Sequence, residues 1–145
     1  MKKLALMALL LSGSTVFSSD TPEQEVIRNL IEKAYINGAF NELNADDMEA
    51  GFHPGFAIFS AKGKELGRYP IAKWVAGARK RKASADYSPE KSKMDYEITN
   101  IDVTGGAAAA KVILSKDGKL IYTDYLSFLR FEDGWKVAAK VYHKH

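Results

Sequence analysis

Few side chains in this sequence have a type and setting suited to chemistry. His53 is the only histidine away from the C-terminus, and an imidazole titrates near neutrality, which suits acid–base work. Its neighbour Pro54 favours a plainer role, a ring that bonds nearby backbone and holds a turn. Asp124 has the chemistry of a general base, but no second carboxylate converges on it, so an acid–base dyad has nothing to stand on. His143 and His145 flank Lys144 at the terminus. A pair on a tail that frays is a weak metal signal, and no metal site is expected. Arg79-Lys80-Arg81-Lys82 is the one run of charge. At the end of a helix it complements the macrodipole, so nucleic acid is not an expected partner. The sequence has no glycine-rich phosphate loop, no His-Glu-x-x-His string and no serine in a nucleophile elbow. With no cysteine at all, thiol nucleophiles, disulfides and thiolate metal sites are excluded. No cofactor is implied.

The elements that must position these residues follow a leader. Lys2 and Lys3 make a charged start, Leu4 to Leu11 a short apolar run and Ser12 to Ser18 a small-residue exit, the pattern of a secretory signal. The apolar run is well short of the roughly 20 residues that span a bilayer. Val16 and Ser18 suit the positions ahead of a cleavage site. The expectation is therefore a signal peptide over residues 1–18 and one domain over 19–145, exported to the periplasm or secreted, with no membrane contact after cleavage. Cleavage removes two lysines, so the formal charge of +3 falls to about +1. That leaves no global charge argument for nucleic acid or membrane.

Thr21-Pro22-Glu23-Gln24 is a capping box with proline in the first turn. Val26, Ile27, Leu30, Ile31, Ala34 and Tyr35 then repeat at helical spacing, with Gly38 as a C-terminal cap. A shorter helix follows Asn44 and ends at Gly51. Phe52-His53-Pro54-Gly55 reads as a break, Phe56 to Ser60 as a short buried strand, and Lys62-Gly63-Lys64 as a turn. Pro70 opens a third helix, with Ile71, Trp74, Val75 and Ala78 on one side. Ala83 to Lys91 reads as loop. From Met94 the pattern is β, with about four strands and turns at Gly105-Gly106, Asp117-Gly118 and Asp133-Gly134.

Register decides which of these side chains share a face. A three-residue loop with a glycine bulge at Glu132-Asp133-Gly134 collects Ala110, Val112, Leu114, Thr123, Tyr125, Ser127, Leu129, Trp135 and Val137 on one face. The opposite face then carries Asp124, Lys111 and Lys140 with Tyr122, Leu126, Phe128 and Tyr142. On this register Asp124 lies opposite Lys111 and diagonal to Lys140 in a surface ion pair. Four large rings and aliphatics on that face exceed what water tolerates, so a homodimer through the sheet face away from the helices is expected.

Phe52-His53-Pro54, Trp74, Tyr122-Thr123-Asp124-Tyr125-Leu126, Arg130, Gly134-Trp135-Lys136-Val137 and Lys140, in that order, resemble the Putative lumazine-binding family. That family lies within the nuclear transport factor 2-like (SnoaL-like, ketosteroid isomerase-like) superfamily. The resemblance implies an α+β cone, three N-terminal helices packed on a curved antiparallel sheet, with a pocket between them. On the register above, Tyr35, His53, Phe56, Trp74, Thr123, Tyr125, Ser127 and Trp135 are the candidates to line it. Each aromatic could equally fill a core. Such walls suit a small apolar or aromatic molecule. The expected function is an exported ligand-binding or accessory domain. The alternative is a cofactor-independent isomerase, dehydratase or cyclase of the ketosteroid isomerase or SnoaL type, acting by proton transfer. An ionisable pair within hydrogen-bond reach inside the pocket would favour the enzyme.

Overall fold

A computed structural model describes residues 19–145; the leader expected over 1–18 lies outside the described residues. Helix α1 spans Pro22–Leu30, and its start follows the sequence closely. The Thr21 hydroxyl accepts from the Gln24 N–H, and the Thr21 N–H donates to Gln24 Oε1 at 2.8 Å. The helix does not stop at Gly38 as expected. It widens at Ile31 into a π-helical segment that runs to Asn41, closed by an i to i−5 bond from the Glu42 N–H to the Asn37 carbonyl. The termination falls instead at buried Leu43, which takes the left-handed conformation with φ 50°. Gly38 serves a different end: a Cβ there would sit 3.0 Å from Met48 Cγ.

Helix α2 (Ala45–Gly51) carries an Asn44 cap and crosses close to the π segment. A Cβ on Gly51 would lie 2.3 Å from Ala34 Cβ and 2.9 Å from Leu30 Cδ1, so glycine permits the approach. Gly51→Ala should therefore cost about 1–3 kcal/mol by overpacking, read as a shift in urea midpoint. A change below a few tenths would mean that the two helices are not held this closely.

The chain then enters a six-stranded sheet: β1 (Phe52–Lys62), β2 (Glu65–Pro70), β3 (Asp95–Thr104), β4 (Ala107–Lys116), β5 (Lys119–Phe131) and β6 (Gly134–Lys144). Its order is β2-β1-β6-β5-β4-β3, antiparallel throughout except where β1 runs parallel to β6. Phe52 to Gly55 is not a break. It begins β1, and the irregularity appears as a register shift against β6 between Phe52 and Ala57. Helix α3 (Ile71–Lys82) starts where expected and buries Ile71, Val75 and Ala78. The loop before β3 holds one helical turn, α4 (Pro89–Ser92).

Two bulges overturn the expected register. Lys116 pairs with Lys119 and Ser115 with Leu120 across a two-residue turn, but then Leu114 pairs with Tyr122, which leaves Ile121 extra. At the next hairpin Phe131 pairs with Gly134, a two-residue turn, and the extra residue is Ala138, between Phe128↔Val137 and Ser127↔Ala139. Since an inserted residue inverts the facing of everything after it, Val112 meets Asp124 and Ala110 meets Leu126. Lys111 pairs with Tyr125 and does not face Asp124. The inner face of β5 is Tyr122, Asp124, Leu126 and Phe128. Of these, Leu126 and Phe128 are core residues alongside Val112, Leu114 and Val137. They cannot form the outward surface assigned to them from sequence. The face away from the helices instead presents Tyr125 (49 % exposed), Leu129 (46 %) and Val141 (50 %).

Candidate functional site

The inverted register brings three polar side chains together inside the core. Asp124 on β5 has no exposure and Lys140 on β6 has 5 %. The two strands place them diagonally, Leu126 lying opposite Lys140 and Tyr142 opposite Asp124. Tyr35 reaches them from the π segment, donating its hydroxyl to Asp124 Oδ2 at 2.5 Å. Lys140 Nζ donates to the Tyr35 oxygen at 2.7 Å and stands 2.9 Å from Asp124 Oδ1. That last contact is an ion pair without hydrogen-bond alignment, so Oδ1 is left without a hydrogen-bond donor. The widened helical turn matters here, because π-helical turns re-aim side chains and cluster at functional sites.

Burial pushes the Tyr35 phenol well above its ordinary pKa, and the negative charge of Asp124 adds to the effect. Burial lowers the Lys140 ammonium, outweighing the attraction of Asp124. The tyrosine is raised relative to the unfolded chain, so its stabilising contribution is complete below the ordinary tyrosine pKa. It is lost only as pH climbs through the higher folded value. In an alkaline absorbance titration Tyr35 should therefore stay un-ionised after the exposed tyrosines have titrated, until the fold opens. A Tyr35→Phe variant should lose that late step and no other. A titration in which every tyrosine ionises together in the folded protein would contradict the geometry.

Above this floor a cavity of about 240 Å³ opens toward solvent. Phe40, Trp74, Tyr122 and Tyr142 wall it, Lys140 lies at its base, and Ile58, Ser60 and Tyr69 complete the rim. Five rings lie around the ammonium: Tyr35 at 4.9 Å, Tyr142 at 5.2 Å, Trp74 at 5.4 Å, Phe40 at 5.9 Å and Tyr122 at 6.0 Å. Each is within range of a cation–π attraction. Tyr35 and Phe40 also pack edge to face on Trp74, at 6.0 and 6.1 Å.

Of the residues singled out from sequence, Trp74 lines this cavity and Tyr35 lies beneath it, fully buried against Trp74. Phe56 lies behind it, fully buried and stacked on Trp74 at 6.2 Å. Phe56→Ala should therefore cost about 3–5 kcal/mol. Trp74→Ala, at a half-buried ring with one face on the cavity, should cost clearly less. Equal losses in urea melts would mean that Trp74 is packed core and the cavity is closed.

The other candidates lie elsewhere. Thr123, Tyr125 and Ser127 point to the opposite side of the sheet as a consequence of the Ile121 bulge. Trp135 is half-buried and ties β6 to α1, its indole N–H donating to Glu23 Oε2 at 3.1 Å. His53 accepts from the Gly55 N–H at 3.0 Å and stacks on Phe131 at 4.5 Å, so its ring bonds nearby backbone at the irregular start of β1 and not in a turn. Sequence reasoning passed over Phe40, Tyr122, Tyr142, Lys140 and Asp124 as site residues. The available signal was Asp124 alternating with Tyr122, Leu126 and Phe128 along β5. One charge among core-sized side chains is either misplaced or paired.

Among the described residues no group of three or more His, Cys, Asp or Glu side chains could hold a metal ion. No helix among them is long and apolar enough to cross a membrane. Arg79 is held by Asp46 and Glu49, and Arg81 donates to the Ala39 carbonyl. Half of the basic run thus serves helix packing.

Helices laid on a six-stranded, mostly antiparallel sheet, with an aromatic cavity between the layers, define a nuclear transport factor 2-like domain. The chain belongs to the Putative lumazine-binding family, whose model matches residues 22–143. The fold is similar to an NTF2-like protein of unknown function from Shewanella baltica, at 25% identity over 88% of this chain and 98% of that one, with a TM-score of 0.66. It is similar to another from Silicibacter pomeroyi, at 20% identity over 87% and 100%, TM-score 0.64. An NTF2-like protein from Cytophaga hutchinsonii matches at 14% identity over 86% and 100%, TM-score 0.63. None of the curated proteins matches the chain in sequence.

Proposed function

We propose that this chain is an exported domain that binds a small planar aromatic molecule carrying a neutral acceptor oxygen. The observation that carries this is the Lys140 ammonium at the base of an aromatic-walled cavity. Its charge is already balanced by Asp124 at 2.9 Å. A fully anionic ligand would bring an uncompensated negative charge into a buried site, which is costly. A carbonyl or lactam oxygen can accept from the ammonium at no such cost. Aromatic walls with one well-placed polar group are the usual make-up of a small-molecule site, and the volume suits one ring or two fused rings.

Native mass spectrometry of the mature protein from its own host tests this. A retained neutral aromatic supports the reading. An empty protein that also fails to bind a panel of aromatic amides and lactams would sink it. N-terminal sequencing of the same material should begin at or near Ser19, as export with cleavage requires.

A second reading is a proton-transfer enzyme of the ketosteroid isomerase or SnoaL type, favoured by the Tyr35–Asp124–Lys140 cluster. It predicts exchange of a ligand C–H proton in heavy water, measurable by NMR and absent without protein.

Assembly also remains a proposal. A second copy covering Tyr125, Leu129 and Val141 would remove them from water. Sedimentation equilibrium showing a monomer at tens of micromolar, a concentration range in which weak assembly is populated, would end it.

A further inference from the structure

We infer that Lys140 is a carbonyl-capturing amine, whose Nζ forms an imine with an aldehyde or ketone seated in the aromatic cavity. This rests on the ligand-site reading above and adds a covalent step to it. Among the described residues Nζ is the one amine that lines the cavity, and the rings of Trp74, Tyr122 and Tyr142 are placed to hold an aryl group against it. Two proton carriers stand within reach, Tyr35 at 2.7 Å and Asp124 at 2.9 Å. A lysine enclosed by apolar rings is a common form of activated amine, because its uncharged form is the nucleophile. Burial here favours that form.

The step balances within the site. The ammonium passes one proton to Asp124, and the free amine attacks the carbonyl carbon. The C–N bond forms as the carbonyl π pair moves to oxygen. That oxygen takes a proton from nitrogen, giving a neutral carbinolamine. Asp124 then returns its proton to the hydroxyl, which leaves as water. The product is a protonated imine paired with the Asp124 carboxylate, so the charge of the site is unchanged and no oxidant or reductant is consumed. Oδ1, which lacks a hydrogen-bond donor in the resting site, is the carboxylate oxygen that stands 2.9 Å from Nζ and takes the proton.

The test treats the mature chain with benzaldehyde and sodium cyanoborohydride near neutral pH, followed by peptide mapping. In parallel, benzamide binding is measured by calorimetry, because an amide of the same shape can occupy the cavity but cannot form an imine. The inference expects a single benzyl adduct on Lys140, formed at least tenfold faster than on any surface lysine and slowed by excess benzamide. Adducts confined to surface lysines, with benzamide still bound, would overturn the imine and leave the binding site standing. Loss of both signals would overturn the two together. The mapping uses the unmodified protein, so its outcome does not depend on a variant that folds. Lys140→Arg serves only as a confirming variant, expected to lose the adduct.

Discussion

Replacing Lys140 with Met is expected to destabilise the fold by about 3–5 kcal/mol, the usual loss when one partner of a buried ion pair is removed. The reason is what remains. Asp124 has no exposure, and without Lys140 its charge would be balanced only by the Tyr35 hydroxyl. Replacing the whole cluster has a different effect. A triple variant, Tyr35→Phe, Asp124→Leu and Lys140→Met, removes every polar group at once and should recover most of that loss, to within about 1–2 kcal/mol of the parent. Such strong non-additivity is the mark of a coupled network. Urea melts of the single and triple variants decide the matter. If the three substitutions destabilise additively, the cluster is not the isolated buried unit described here.

Phe128→Glu is expected to prevent folding altogether. The ring is 1 % exposed and packs within the core beside Val137, its partner on β6. Truncating such a ring costs about 3–5 kcal/mol, and forcing an unpaired carboxylate into the same place costs several more. Together these approach the whole stability of a domain this size, about 5–15 kcal/mol. Near-ultraviolet circular dichroism of the variant should lack the native signal. On the register expected from sequence, the same substitution would merely split a dimer and leave a folded monomer. A folded Phe128→Glu protein would therefore reinstate that register and put Asp124 on the outer face of the sheet.

The contrast shows where sequence was sufficient and where it was not. The start of α1 was legible because the Thr21 and Gln24 bonds are local and use groups three residues apart. The third helix was legible for a similar reason, Pro70 setting its start and Ile71, Val75 and Ala78 its buried face. The four strands after Met94 were marked by their glycine turns. Register was not legible. β5 carries large side chains on both faces, Tyr122, Leu126 and Phe128 on one and Tyr125 and Leu129 on the other. Alternation alone gave no preference, and keeping Trp135 and Val137 off the face of Lys111 and Asp124 tipped the choice the wrong way. The bulges at Ile121 and Ala138 leave no residue signature such as glycine. The ion pair between Asp124 and Lys140 was visible in the spacing, but its depth depended on the register. The π-helical widening that delivers Tyr35 to Asp124 was likewise invisible, since Ile31, Ala34 and Tyr35 fit an ordinary helix equally well.

The proposed function stands or falls on whether Lys140, held by Asp124 and Tyr35 under an aromatic roof, receives the acceptor oxygen of a planar ligand. NMR titration with isoquinolinone, on protein labelled at lysine side-chain nitrogen and tryptophan indole, addresses this without intermediaries. The Lys140 Nζ and Trp74 indole resonances should move together and saturate. The Trp135 indole, tied to Glu23, should stay in place. Saturable shifts confined to Tyr125, Leu129 and Val141 on the outer sheet face, followed through their backbone amides, with Lys140 unmoved, would contradict it.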